Sequence, residues 1–427
     1  MLWADDLVLL ALDEDSLQAT LDVLNKYCDA WGLQINPKKT KVLIFNKSGK
    51  LIRPNMILKI GEQIIESTKS YCYLGIIFTP SGSFTNAINE LKKKAMRATF
   101  SLKRFINHKC ISITTIFRLF DALILPILTY ACQITFPYSI MSSSLTTTKT
   151  NHANWQGNWI TKVSRDPFEK LHLKFIKWTL GVHKKASNLG VWGETGRHPI
   201  GIQMLKQTIS YYNRVSLGPS SSLVHLSFLE QQSNNMKWFT SIEKLIAAHG
   251  TSTTTKEGLT VISAGKSAKS CKMMFESIWK GALTKSPKLD FYKKIKYSFS
   301  KEPYLDSLEF DLRKTLTKLR ISAHKLPVEQ GRYLTPPIPR PNRHCEVCKA
   351  YNNITLLGDE AHFLFACRSS TMNWGYLTTS RLNLIKNKNC EDIFVPTSDI
   401  TELKNLAVFV KRSYLQYIKD ASNMQVP

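Results

Sequence analysis

No stretch of this chain stays apolar long enough to cross a bilayer. The nearest, Leu123 to Phe136 (LILPILTYACQITF), is broken by Pro126, Thr129, Gln133 and Thr135 and falls short of the ~20 apolar residues a spanning helix needs. The run LVLLAL near the first residue follows Asp5 and Asp6, where a signal peptide carries Lys or Arg, and it is too short for one. Cysteine is sparse: nine residues, an odd number spread along the chain, exclude the dense disulfide framework of a small secreted domain and predict reduced thiols. No segment repeats. Together these absences predict a cytoplasmic or nuclear protein that is not secreted and has no membrane partner. Acidic side chains are scarce as well, 32 Asp and Glu against 58 Lys and Arg, which leaves a formal net charge of +26. Folding does not require such an excess, so it predicts a polyanionic partner.

At 427 residues the chain can bury a large core, and its length suggests about two to four domains. Apolar residues Leu17, Leu21, Leu24, Cys28 and Trp31 recur at helical spacing, with negative charge from Asp13 to Asp15 near the expected N-terminus and Gly32 and Pro37 as the stop. KKTKVLIFNK then reads as a strand, MILKIGEQII as strands turning at Gly61, and YCYLGIIFTP as a further strand ending at Pro80 and Gly82. From Thr85 to about Tyr130 the pattern turns to basic helices. SSSLTTTKTNHANW reads as a linker or long loop. A further helix is expected over DPFEKLHLKFIKWTLG, capped by Asp166, opened by Pro167, closed by Gly181 and striped by Leu171, Phe175 and Trp178. Polar stretches around Ser220 to Ser222 and Thr251 to Lys256 mark further boundaries.

Two adjacent carboxylates, Asp5 and Asp6, precede LVLLAL and read as the tip of a β-hairpin whose outgoing strand is Leu7 to Leu12. Like charges side by side suit a divalent cation, although a solvated turn or helix cap accommodates the same dipeptide. The order of segments adds more. Trp3-Ala4-Asp5-Asp6, then Asn36 with Lys39 and Thr40, then Tyr73-Leu74-Gly75 resembles the palm of a reverse transcriptase of the non-LTR (LINE-like) retrotransposon type. The resemblance implies that Asp5 is a magnesium ligand with Asp6 its neighbour, that Lys39 lies near the departing pyrophosphate, and that Trp3 packs on nucleic acid. In that family the fingers and a first palm strand bearing another metal-binding aspartate come before the hairpin, and here two residues precede Trp3. Asp13 and Asp15 lie about six residues past the tip, roughly 20 Å at strand rise, too far to substitute. Two carboxylates do not enclose two cations wanting about six oxygens each, so the chain alone is expected not to polymerise.

HCEVCKAYNNITLLGDEAHFLFAC places Cys345 and Cys348 as C-x-x-C and His362 and Cys367 as H-x4-C. A short knuckle followed by His and Cys about a helical turn apart can close a tetrahedron around structural zinc, with His344 as a spare ligand and Phe363 and Phe365 for a small core. The family also often ends in such a Cys-Cys-His-Cys knuckle implicated in RNA binding, and LGVHKKASNLGVWGETGRHPIG resembles its linker region.

ELKKKAMRATFSLKRFINHK carries Lys92, Lys93, Lys94, Arg97, Lys103 and Arg104 on one expected helix, with Phe100 and Phe105 interleaved. The resemblance makes this the thumb, its cations against template and primer phosphates. The prolines of RYLTPPIPRPNR, Arg332 to Arg343, suggest an extended basic arm leading into the knuckle. The expected fold is α+β. Its parts are a partial palm over 1–82 (hairpin, helix, β ribbons), a helical thumb over 83–140, a basic helical linker over 141–218, a helical region over 219–340, the zinc knuckle over 341–372 and a helical tail over 373–427. The expected partners are an RNA template and a DNA primer or target, with magnesium and zinc as cofactors. Two alternatives stand beside this: a non-enzymatic RNA-binding protein derived from such an element, or a decayed or incomplete reading frame.

Overall fold

The computed structural model describes residues 2–52, 54, 56–145, 155–254, 260–386, 393–394 and 399–423. The chain is mixed α and β, mostly helical with short strands, and divides into two compact units, Met1–Leu91 and Lys92–Pro427.

In the first unit the strands Leu2–Trp3 and Asp6–Leu7 form an antiparallel hairpin, with Trp3 opposite Asp6 and Ala4 in the left-handed region at φ 52°. The outgoing strand does not reach Leu12 as expected. Only two residues find hydrogen-bonding partners across the hairpin, and beyond them Leu10 and Leu12 are exposed. The helix Glu14–Trp31 forms where the periodicity placed it, because Asp13 accepts from the Ser16 amide at 2.8 Å and Gly32 closes it at φ 63°. Leu21 and Cys28 are buried, and the helix packs on Leu58, Ile60 and Ile65. Gln18 fixes that docking through paired hydrogen bonds, both 2.9 Å, with the backbone of Lys59. Trp31 leaves the expected stripe: it is 70% exposed and lies against Tyr27, since the helix has run past its core by then.

The strand expected in KKTKVLIFNK is only Lys41–Val42, paired in parallel with Glu66–Ser67. Alternation specified a strand, but no neighbour extends to pair the rest. Lys59–Ile60 and Gln63–Ile64 make the hairpin expected at Gly61 (φ 54°). YCYLGIIF is itself a hairpin rather than a single strand, because Leu74 (φ 46°) and Gly75 (φ 80°) supply the two left-handed positions of a tight two-residue turn.

The helix Thr85–Phe105 runs across the division between the units. In the second unit Asp166 caps the Pro167–Thr179 helix, accepting from Phe168 and Glu169 at 2.9 and 3.2 Å, and Gly181 follows at φ 66°. Leu171 and Phe175 on this helix are buried. Leu123 to Phe136 is bent into the short helices Leu125–Leu128 and Cys132–Thr135, and no single helix among the described residues is long and apolar enough to cross a membrane. Of the expected linker, Ser142 to Leu145 belong to the helix Ile140–Leu145, and 146–154 lie outside the described residues. The boundary expected at Thr251 to Lys256 holds instead the strand Ser252–Thr254, hairpinned to Thr260–Ile262, with 255–259 outside the described residues. Arg332 to Arg343 is no extended arm. It folds back through Ile338 N to Gly331 O at 2.9 Å and a short 3-10 turn at Arg340–Asn342, and Arg343 is buried with Nη1 donating to Val328 O at 2.7 Å.

His108 lies between the rings of Trp178 and Phe310, at centroid distances of 4.4 and 4.5 Å. Burial, reinforced by Arg313, Lys103 and Lys314, holds its imidazole at about 4, below the ordinary 6.5. The folded state therefore resists a proton that the unfolded state accepts. The stability His108 supports is complete above about 6.5 and lost as pH falls toward about 4. The urea midpoint should be lower at pH 5 than at pH 7, and His108→Phe, which keeps a ring in the stack, should narrow that difference. An unchanged difference in the variant would remove His108 as its source.

Candidate functional site

The segment from Arg343 to Cys367 builds one closed cluster. A short backbone ladder, Cys345 N to Leu356 O at 2.9 Å and Gly358 N to Arg343 O at 2.8 Å, brings the knuckle beside the incoming loop. Cys345 stands at the N-cap of the helix Glu346–Asn352, so Cys348 falls on its first turn and points to the same place. Asn353, at φ 50°, ends that helix by donating its N–H to Cys348 O. Asp359 then caps the helix Glu360–Phe365 by accepting from the His362 amide at 2.8 Å. The helix does not carry both His362 and Cys367, as their spacing of about a helical turn suggested. It stops at Phe365, and Cys367 N turns back to His362 O at 2.8 Å, which returns the fourth side chain to the group.

The ligand atoms of Cys345, Cys348, His362 and Cys367 all lie within 4.8 Å of one another, and all four residues are buried. The sulfurs of Cys345 and Cys367 are 3.9 Å apart. Two thiolates on a tetrahedral zinc, with Zn–S of ~2.3 Å, would stand about 3.8 Å apart. Both ring nitrogens of His362 are buried without a hydrogen-bond partner. Such atoms are costly to bury unless something binds them, and a cation accounts for one of them directly. The Cys367 thiol beside it holds Cys345 down, to about 4, against the effect of burial, while the same contact and burial push Cys367 up. The group thus already favours a thiolate, the form that binds metal. Three sulfurs and one imidazole fill a tetrahedron, so the cluster can hold a metal such as zinc in a structural role. His344, the spare candidate, is not in the group; it bridges to Leu357 instead.

The long helix Ile400–Asn423 packs against this region. Ser369 Oγ donates to Asp420 Oδ2 at 2.7 Å, and Phe363 meets Tyr414 and Tyr417 edge-on. Tyr417 is buried, and its phenol is pushed up by burial first and then by Cys345 and Cys367. The sequence reading did not connect this helix to the cluster, although Leu403, Leu406, Val410, Ser413 and Tyr417 recur at helical spacing and are all buried.

Asp5 and Asp6 are exposed at the hairpin. Trp3 pairs through its backbone, and its side chain lies outside the description. Among the described residues the Cys3His cluster is the one group of three or more potential ligands that converge, so no third carboxylate joins the acidic pair. Asp13 is committed to its cap. Lys39 is exposed on a tight turn in which Asn36 accepts from the Lys39 and Thr40 amides at 3.2 and 3.0 Å. Asp5, Asp6 and Lys39 share no hydrogen bond or ion pair. On the helix Thr85–Phe105, Ala87, Leu91, Ala95 and Leu102 are buried, and Lys93, Lys94, Arg97 and Arg104 are exposed, with Phe100 and Phe105. Lys92 is half-buried, and Lys103, also half-buried, lies 4.8 Å over the Trp178 ring. Comparison with protein families, with curated proteins and with solved structures gives no match.

Proposed function

We propose that the chain is part of a reverse transcriptase of the non-LTR retrotransposon type, binding template and primer through its basic helices and stabilised by structural zinc at Cys345, Cys348, His362 and Cys367. The observation that carries the reading is the hairpin tip, where the pairing of Trp3 with Asp6 leaves Ala4 and Asp5 as the turn and both carboxylates exposed. In this reading Asp5 and Asp6 belong to the magnesium site of the family, Lys39 serves the departing pyrophosphate, and Trp3, Lys92, Lys93, Lys94, Arg97, Lys103 and Arg104 contact nucleic acid. A second reading, a non-enzymatic RNA-binding protein derived from such an element, is favoured by the absence of a third converging carboxylate among the described residues.

Both readings predict salt-sensitive binding to a primer-template duplex. The log affinity should fall with log salt, and Lys93→Gln/Lys94→Gln/Arg97→Gln should reduce the slope by roughly 3. With magnesium and nucleotides the chain alone should not extend the primer. Extension abolished by Asp5→Asn would favour the enzymatic reading and show that other ligands reach Asp5. Failure to bind the duplex would contradict both.

A further inference from the structure

Cations in the second unit are arranged over aromatic rings in a set of contacts drawn from several elements. It begins where Lys103 lies 4.8 Å from the Trp178 ring, and His108 links that ring to Phe310. Lys314 lies 5.5 Å over Phe310. Its stem is pressed on Gly181, where a Cβ would stand 2.9 Å from Lys314 Cγ and Cδ, so the approach depends on glycine at that position. Lys318 is one helical turn on. Burial, then Lys314 and Lys325, lower its ammonium; burial, then Lys288, lower that of Lys177 to about 8. The set ends at Tyr333, with Lys185 and Lys288 at 4.7 and 5.4 Å from its ring.

Several helices and loops far apart in sequence therefore bring ammonium groups close enough to repel one another, which is unfavourable in the chain alone. Among the described residues Lys103, Lys177, Lys314 and Lys318 have no carboxylate within ion-pair distance. The one acid at the centre, Glu329, is buried and already serves Lys288, Arg332 and Tyr333. Crowded cations without counter-charge are complementary to a polyanion. The rings decide which kind. Trp178 and Phe310 are engaged by lysines and His108, so they hold cations in place and are not open to stack on bases. Single-strand binding relies on open aromatic faces, whereas a duplex turns its bases inward and presents phosphates.

The geometry points to this surface as the seat of the phosphate backbone of a nucleic-acid duplex, gripped without regard to sequence. The inference rests on the reading of the chain as a nucleic-acid binder and names the surface that does the binding.

The test uses the full chain and fluorescence anisotropy with a mixed-sequence duplex and one of its strands, over a salt series. Lys177→Gln/Lys314→Gln/Lys318→Gln should lose about tenfold or more in duplex affinity at physiological salt, and its salt slope should fall by roughly 3. The three Lys→Arg changes should keep both. Lys206→Gln/Lys269→Gln/Lys272→Gln removes the same charge from three exposed positions outside this set and should change the slope by less than about 1. Wild-type binding that the first triple variant leaves intact would overturn this surface while sparing the functional reading. A chain that binds no duplex would overturn both. Tighter binding of the single strand than of the duplex would overturn the duplex assignment.

Discussion

Arg320→Met should destabilise the second unit by about 3–5 kcal/mol, the cost of breaking a buried ion pair from one side. Arg320 is 2% exposed, and its Nε lies 3.1 and 3.2 Å from the two carboxylate oxygens of Glu194, itself fully buried. Its Nη2 stands 2.9 Å from Glu302, which also holds the buried Lys296. Tyr304 donates to Glu194 and shares a 2.7 Å hydrogen bond with Thr317. Burial first, and Glu194 next, push the Tyr304 and Tyr292 phenols well up, so both stay neutral and Tyr304 keeps the proton it donates. Two buried carboxylates face two buried cations in this cluster. Methionine fills most of the volume but leaves Lys296 alone against Glu194 and Glu302. Glu194→Gln in the same chain should recover part of the loss, because it removes the uncompensated charge. Urea unfolding of both variants measures this. A loss below about 1 kcal/mol for Arg320→Met would mean the cluster is hydrated rather than buried.

Cys345→Ser should abolish metal binding and cost about 4 kcal/mol or more, the range reserved for losses such as a structural metal. Serine keeps the size of the side chain but offers a hydroxyl in place of a thiolate, and the remaining Cys348, His362 and Cys367 leave one corner of the tetrahedron empty. The helices Glu360–Phe365 and Arg368–Thr371 are too short to hold themselves, so they depend on the centre and on the Ile400–Asn423 helix for their order. Hydrogen exchange should show amides of 343–372 losing protection in the variant, and chelation of the wild type should produce the same pattern. Protection that survives both treatments would show that apolar packing around Phe363 and Leu364 suffices without metal.

What could be read from the sequence was local chemistry. Asp166 was legible as a cap because a carboxylate before a helix satisfies its first amides, and Gly61 as a turn because the chain there needs positive φ. The four ligands were legible because their spacing lies within one short segment. Features that depend on a distant partner were not. Lys41 to Phe45 alternates like a strand, yet a strand lasts only as long as its neighbour, and here that neighbour ends after Glu66 and Ser67. Glu194, Glu302 and Arg320 carry no local period that announces them as one cluster. Trp31 had the right spacing for burial but lies beyond the end of the core.

The closed Cys3His centre is the point at which ligand spacing and three-dimensional geometry agree, and X-ray absorption at the zinc edge of the purified chain tests it most directly. The account predicts one zinc per chain with three sulfurs at ~2.3 Å and one imidazole nitrogen at ~2.0–2.1 Å. A folded chain without zinc, or a zinc carrying oxygen ligands in place of one of these four side chains, would contradict it.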